Sequence, residues 1–159
     1  MSAKTLLIVA HAPSPNTGSL RDALLAGARE AGAAGVLVRC LTPFETGPDE
    51  VIGADGIVLF TPENLGYMSG ALKDFFDRIY YPTLDRKQGL PYALVVRAGN
   101  DGRGTQRAVE TISTGLRWRA VQEALICRGP YSKEVGEQWL AQCRDLGAAM
   151  AAGLDAGVL

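Results

Sequence analysis

One histidine, His11, and three cysteines without a Cys-x-x-Cys pair leave this 159-residue chain short of metal ligands and of nucleophile–base partners. Cys40, Cys127 and Cys143 are odd in number and read as free or buried thiols of a reducing cytoplasm, not as a disulfide framework. Neither sign of charge is in excess. Sixteen basic residues face seventeen acidic ones for a net charge of −1, which calls for neither nucleic acid nor an anionic membrane as partner. The apolar runs, such as Leu6-Leu7-Ile8-Val9-Ala10, fall far short of the ~20 residues of a membrane span. Lys4 alone precedes that run and no small-residue cleavage site follows, so no signal peptide is read and a cytoplasmic protein is expected. There is no internal repeat, low-complexity stretch or linker. One domain is expected over residues 1–154, with a frayed tail at 155–159.

Alternation is what the chain does have. Apolar runs at Thr5–His11, Val36–Leu41, Gly56–Thr61, Tyr92–Ala98 and Ala124–Arg128 are mostly continuous, as strands covered on both faces should be. Between them lie stripes at helical spacing: Leu20, Ala23, Leu24, Ala28 and Ala31, then Leu72, Phe75, Phe76, Ile79 and Tyr80. Val109, Ile112 and Leu116 form a third stripe, and Val135, Trp139, Cys143, Leu146 and Met150 a fourth. Only a short helix near Asp49–Ala54 fits between the second and third strands. Five strands alternating with helices imply an α/β sandwich with a parallel sheet of order 2-1-3-4-5 and helices on both faces.

In such a sheet ligands bind beyond the carboxyl ends of the strands, at the point where strand order reverses. The loops after the first, third and fourth strands are therefore the candidates. The first reads His11-Ala12-Pro13-Ser14-Pro15-Asn16-Thr17-Gly18-Ser19-Leu20. Small hydroxyl and amide side chains at a helix start suit a phosphate, held by backbone N–H groups and the helix dipole. Plain capping, with Ser19 and Asp22 as a weak capping box, explains the same residues equally well. It is neither a Walker A loop nor a GxGxxG turn. The second loop, Thr61-Pro62-Glu63-Asn64-Leu65-Gly66-Tyr67-Met68-Ser69-Gly70, could wall a flat ring, although spacing alone favours Tyr67 and Met68 packing on the sheet. The third reads Gly99-Asn100-Asp101-Gly102-Arg103-Gly104.

Ala54-Asp55-Gly56-Ile57-Val58-Leu59-Phe60-Thr61-Pro62, followed by Gly66-Tyr67-Met68-Ser69-Gly70-Ala71-Leu72-Lys73-Asp74-Phe75-Phe76-Asp77-Arg78, resembles the central motif of the NAD(P)H-dependent FMN reductase branch of the flavodoxin-like superfamily. Ser14-Pro15-Asn16-Thr17 is similar to that family's phosphate loop, and Gly89-Leu90-Pro91-Tyr92-Ala93-Leu94-Val95 to the lead-in to its fourth strand. The resemblance implies a flavodoxin-like fold and FMN as cofactor. It places the phosphate on Ser14, Asn16, Thr17, Gly18 and Ser19. The isoalloxazine would lie between Pro62, Glu63, Asn64, Leu65, Gly66, Tyr67 and Met68 on one side and Gly99, Asn100, Asp101, Gly102 and Arg103 on the other, with His11 at the adjoining strand end. Glu63-Asn64-Leu65 departs from relatives that often carry an aromatic there.

The implied activity is transfer of electrons from NAD(P)H through the flavin to a quinone, a flavin or a similar small acceptor, chemistry carried by the cofactor rather than by a catalytic side chain. His11 is read as anchoring its loop. A flavodoxin-type electron carrier is the competing reading, but such carriers are strongly acidic near the flavin. Here Arg97, Arg103, Arg107, Arg117, Arg119 and Arg128 outnumber Asp101, Glu110 and Glu123 between the last two strands, and Arg97 and Arg103 flank the expected site, where they would attract a nucleotide phosphate. A phosphorelay receiver is excluded because His11-Ala12-Pro13 and Thr61-Pro62 stand where its acidic residues belong. A relative that has lost its cofactor and acts through its surface is the remaining class. Tyr80-Tyr81-Pro82, near Phe75 and Phe76, offers aromatic surface for a homodimer.

Overall fold

The computed structural model describes residues 3–32, 34–130 and 133–159, the side chains of 133–135 excepted, so Val135 of the last stripe lies outside the described side chains. Strand β1 (Lys4–Ala10) leads into α1 (Pro15–Gly32), β2 (Val36–Leu41), a short 3-10 turn and α2 (Pro48–Ile52). Then come β3 (Gly56–Asn64), β4 (Tyr67–Met68), α3 (Gly70–Thr83), β5 (Pro91–Ala98) and α4 (Arg103–Gly115). The chain closes with β6 (Arg119–Ala120), β7 (Leu125–Arg128) and α5 (Lys133–Ala156).

Strands β2, β1, β3 and β5 are parallel neighbours in that order, and both β6 and β7 pair in parallel with β5. With the two-residue β4 set aside, this is the expected order 2-1-3-4-5. One difference lies at the last strand. Tyr92 pairs with Ala120 and Val95 with Leu125, so three steps along β5 face five along its partner. The surplus residues loop out and split that strand into β6 and β7.

The unbroken apolar runs are explained by which face each residue meets. Leu7, Val9, Ile57, Leu59, Leu94 and Val96 pack with Leu72, Phe75, Phe76 and Val109 of α3 and α4. Their alternates Leu6, Ile8, Val58, Phe60, Ala93 and Val95 pack with Leu20, Leu24, Cys143 and Met150 of α1 and α5. Side chains alternate along a strand, and here both sides are apolar because helices cover both. Phe75 and Phe76 are thereby core residues, whereas Tyr81 stays exposed. The carboxyl end of the chain is not frayed. α5 runs through Ala156, Val158 N–H bonds Gly153 O, and Leu159 packs on the α1/α5 core, beside Gly153. No helix of the described residues is long and apolar enough to cross a membrane.

Candidate functional site

Ala10 is level with Phe60, and Phe60 with Val95. β1 stops there, while β3 and β5 run on side by side, Pro62 still paired with Arg97, to end at Asn64 and Ala98 on the same side of the sheet. Asn64 lies about 13 Å beyond Phe60 at the usual rise per residue, and there β3 turns back as a hairpin in which Glu63 faces Met68 and Asn64 faces Tyr67. Leu65 and Gly66 form the turn, both with positive φ of 54° and 74°, as a two-residue type I′ turn requires. The loop expected at 61–70 is therefore mostly strand. Its base is pinned from inside: the buried Thr61 hydroxyl donates to Pro62 O at 2.8 Å and accepts from Ser69 N at 3.0 Å. Ser69 in turn caps α3, its Oγ accepting from Leu72 N at 3.2 Å.

This hairpin sorts the expected ring residues. Leu65 is fully exposed, Asn64, Gly66 and Tyr67 are exposed, and Glu63 is half-buried. Met68 is not at the edge: at 2% exposure it packs under α3 and α4 with Leu72 and Val96. Pro62 is buried in the strand.

The first loop is shorter than its sequence implies. α1 begins at Pro15, so Gly18 and Ser19 belong to the helix; Gly18 N–H bonds Ser14 O at 2.8 Å and the exposed Ser19 hydroxyl bonds Pro15 O at 3.0 Å. The cap is Ser14, not Ser19. Ser14 N–H donates to Thr17 Oγ1 at 3.0 Å and Thr17 N–H to Ser14 Oγ at 3.2 Å, a reciprocal box built from two hydroxyls. Asp22 instead pairs with Arg21 at 3.0 Å. Asn16 is exposed at this helix start. His11 continues the β1–β3 ladder, its N–H bonding Phe60 O at 3.0 Å, and partial burial lowers the pKa of its ring.

The third loop is wired more tightly than its glycines suggest. Asp101 Oδ1 accepts from Arg103 N at 3.1 Å, Asp101 O accepts from Arg128 Nε at 2.9 Å, and Gly102 caps α4 with a φ of 70°. A Cβ on Gly102 would sit 2.5 Å from Ile126 Cγ2, and one on Gly104 would sit 2.0 Å from Gly66 O. Only glycine lets α4 abut the hairpin here. Gly99, by contrast, has open space where a side chain would be, and Asn100 is exposed beside it. Arg97 does not extend into this space as expected. Its guanidinium donates to Ala98 O, to Cys127 O at 3.1 Å and to Gly129 O at 2.8 Å, so it laces β5 to β7.

The structure thus brings the hairpin and the third loop into contact, with the first loop beginning one strand away at β1. The amino ends of α1, α3 and α4 all start at this edge, each contributing partial positive charge. Sequence reasoning placed Thr61, Ser69 and Gly104 in the candidate loops and Arg128 among the nearby arginines, but not their role, which is to position the loops. Gly104 carried a signal, as a second glycine after Gly102 at a helix start.

The sequence model of the NADPH-dependent FMN reductase family matches residues 42–127. That is just over half of the chain, and it contains the hairpin and the third loop. The chain belongs to this family, one of flavin-dependent oxidoreductases. No curated protein sequence matches it. Among solved structures, a flavodoxin from the domain Archaea is 17% identical with a TM-score of 0.77, covering 94% of this chain and 98% of its own. An oxidoreductase from Corynebacterium diphtheriae is 18% identical with a TM-score of 0.71, covering 99% of each chain. An azoreductase from Bacillus anthracis is 14% identical with a TM-score of 0.71, covering 94% of this chain and 99% of its own. Likeness at this identity establishes the flavodoxin-like fold and leaves the chemistry to the site.

Proposed function

We propose that this member of the family binds FMN across the carboxyl edge of β1, β3 and β5 and uses NAD(P)H to reduce a small acceptor such as a quinone or a flavin. The observation that carries the reading is the edge itself. Three helix amino ends start there beside a projecting hairpin, and Ser14 and Asn16 stand exposed at the first of them with a hydroxyl and an amide and no lysine. That donor set fits a phosphate, and the open space at Gly99 fits the close approach of a flat ring.

When bound, FMN supplies the two-electron chemistry between a nicotinamide and the acceptor. The chain's residues bind and orient. Ser14 and Asn16 would hold the phosphate, with Thr17 fixing the Ser14 rotamer and Gly18 and Ser19 extending the helix behind them. Asn64, Leu65 and Gly66 would flank the ring on the hairpin side, and Gly99, Asn100 and Asp101 on the other. Arg103 and Arg107, exposed and one turn apart on α4, would attract the dinucleotide's phosphates. The exposed Tyr81, edge-on to Tyr80, is the face through which a second copy would pair.

Visible absorbance of the purified protein, titrated with FMN and then with NADPH under anaerobic conditions, tests this. Perturbed flavin bands that bleach on NADPH are expected. Bands that persist until dithionite is added would replace the reductase reading with the electron carrier. No change on adding FMN would remove the cofactor from the account altogether.

A further inference from the structure

At the tip of the hairpin between β3 and β4, Leu65 breaks a local rule with nothing to offset it. Its backbone is left-handed, with a φ of 54°, a conformation that asparagine and glycine adopt readily and a leucine does not. Its side chain is fully exposed, so no packing within the chain compensates the strain. Exposed leucines are ordinary on a protein surface. One held in a strained turn at the edge of a site points to a contact outside the chain.

The tip is held in place from both ends. Gly66 O lies against α4, where a Cβ on Gly104 would sit 2.0 Å from it, and the base is fastened by Thr61 Oγ1 accepting from Ser69 N at 3.0 Å. Glu63 and Met68 are cross-strand partners, as are Asn64 and Tyr67. Partners share a face and successive residues alternate. With Met68 turned into the core, Asn64 and Tyr67 lie on the hairpin's other face, where Tyr67 is 40% exposed. β3 and β5 are still paired at Pro62 and Arg97, so the tip stands beside the start of the third loop at Gly99 and Asn100. Exposed Arg103 immediately precedes Gly104.

We propose that Leu65, with Tyr67 beside it, is a specificity-determining wall for the electron acceptor, selecting a flat apolar ring that carries carbonyl oxygens, a quinone, over a small hydrophilic oxidant. The wall rests on the FMN reading given above. In the overall reaction the quinone gains two electrons and two protons, a hydride equivalent from NAD(P)H and one proton from solvent, and leaves as the hydroquinone.

The discrimination follows from what each acceptor would bury. A ring laid against the tip removes the Leu65 isobutyl group and the Tyr67 ring from water, a gain that scales with the apolar area covered. Arg103, whose side chain is free to reach across Gly104, offers positive charge to the quinone oxygens as they take up electrons. A hydrophilic oxidant such as ferricyanide accepts one electron per ion and gains nothing from an apolar side chain. An asparagine at 65 would suit the turn better and the quinone worse, which is the reason for a leucine there.

The test uses the full chain incubated with FMN, as the parent, Leu65→Asn and Leu65→Met. Equilibrium dialysis of menadione against the oxidised proteins gives its Kd, and NADPH-driven turnover gives kcat/KM for menadione and for ferricyanide. In Leu65→Asn the menadione Kd should rise, and the menadione-to-ferricyanide ratio of kcat/KM should fall, each roughly tenfold. Leu65→Met, apolar again, should restore both. A menadione Kd and a ratio that Leu65→Asn does not move would overturn the proposal. So would an equal loss with both acceptors accompanied by weaker FMN binding, which would give the side chain to the cofactor instead. A parent flavin that NADPH fails to bleach sinks the reductase reading separately, and the dialysis comparison then still decides for or against Leu65.

Discussion

Thr61 holds the base of the hairpin from inside. Its buried hydroxyl supplies the acceptor for Ser69 N–H and satisfies a Pro62 carbonyl lone pair. Thr61→Val keeps the shape and strips both bonds, leaving a buried donor unpaired. The cost should be about 1–3 kcal/mol, seen as a lower urea midpoint at unchanged slope. Leu65 is the opposite case: fully exposed, with a left-handed backbone that its side chain disfavours. Leu65→Asn creates the Asn-Gly pair that a type I′ turn prefers and should raise stability by about 1 kcal/mol. His11 adds a pH dependence. Desolvation lowers its pKa from the usual 6.5, so the unfolded chain binds the proton more readily than the folded one. Stability is complete above 6.5, falls as pH drops from there toward the depressed value, and then levels off. The difference between the parent chain and His11→Gln in urea melts over that interval should follow this curve; a difference rising with acid would contradict the assignment.

Among elements, the α1–α5 contact depends most on sequence detail. Leu20, Leu24 and Ala28 were legible as a helix stripe, but Gly27 and Gly147 were not, because glycine carries no periodic signal and close approach is visible only once two helices are placed. Gly147→Ala would put a methyl against Leu24 O and should cost about 1–3 kcal/mol through forced separation of the helices, measured by thermal unfolding. The hairpin was hidden for a related reason. Glu63-Asn64 and Tyr67-Met68 are too short and too polar to read as strands. Their pairing exists because β3 runs four residues past the end of β1 and Thr61 holds the return. Ser14 was read as part of a phosphate loop and the cap was placed five residues late, at Ser19, since a Ser/Thr box lacks the usual acidic partner. Arg97, a candidate phosphate ligand by position, is occupied by three backbone carbonyls that only the β5–β7 juxtaposition brings together.

For the molecule as a whole, the proposed cofactor should behave as a stabilising ligand. FMN at about a hundredfold its dissociation constant adds ~2.7 kcal/mol to the folded state by mass action. For a chain of this length that raises the melting temperature by roughly 5–10 °C. Riboflavin, which lacks the phosphate, should give a smaller shift if the α1 amino end is the anchor. Equal shifts for the two would move the anchor away from Ser14 and Asn16.

The sequence by itself determined the class and order of the fold. Apolar runs buried on both faces can only be inner strands of a covered parallel sheet, and the helix stripes between them leave one handed way to connect it. It also pointed to the three loops, because strand order reverses at β1 and β3 whatever the loops contain. Tertiary structure decided which loop residues face outward and which are spent on holding the edge. Met68 was drawn into the core, Arg97 into carbonyl contacts, and Ser19 into a helix. The physical reason is the same in each case. A polar or apolar group takes the nearest partner that satisfies it, and for these residues that partner lies far away in sequence or in a turn whose start the pattern does not mark.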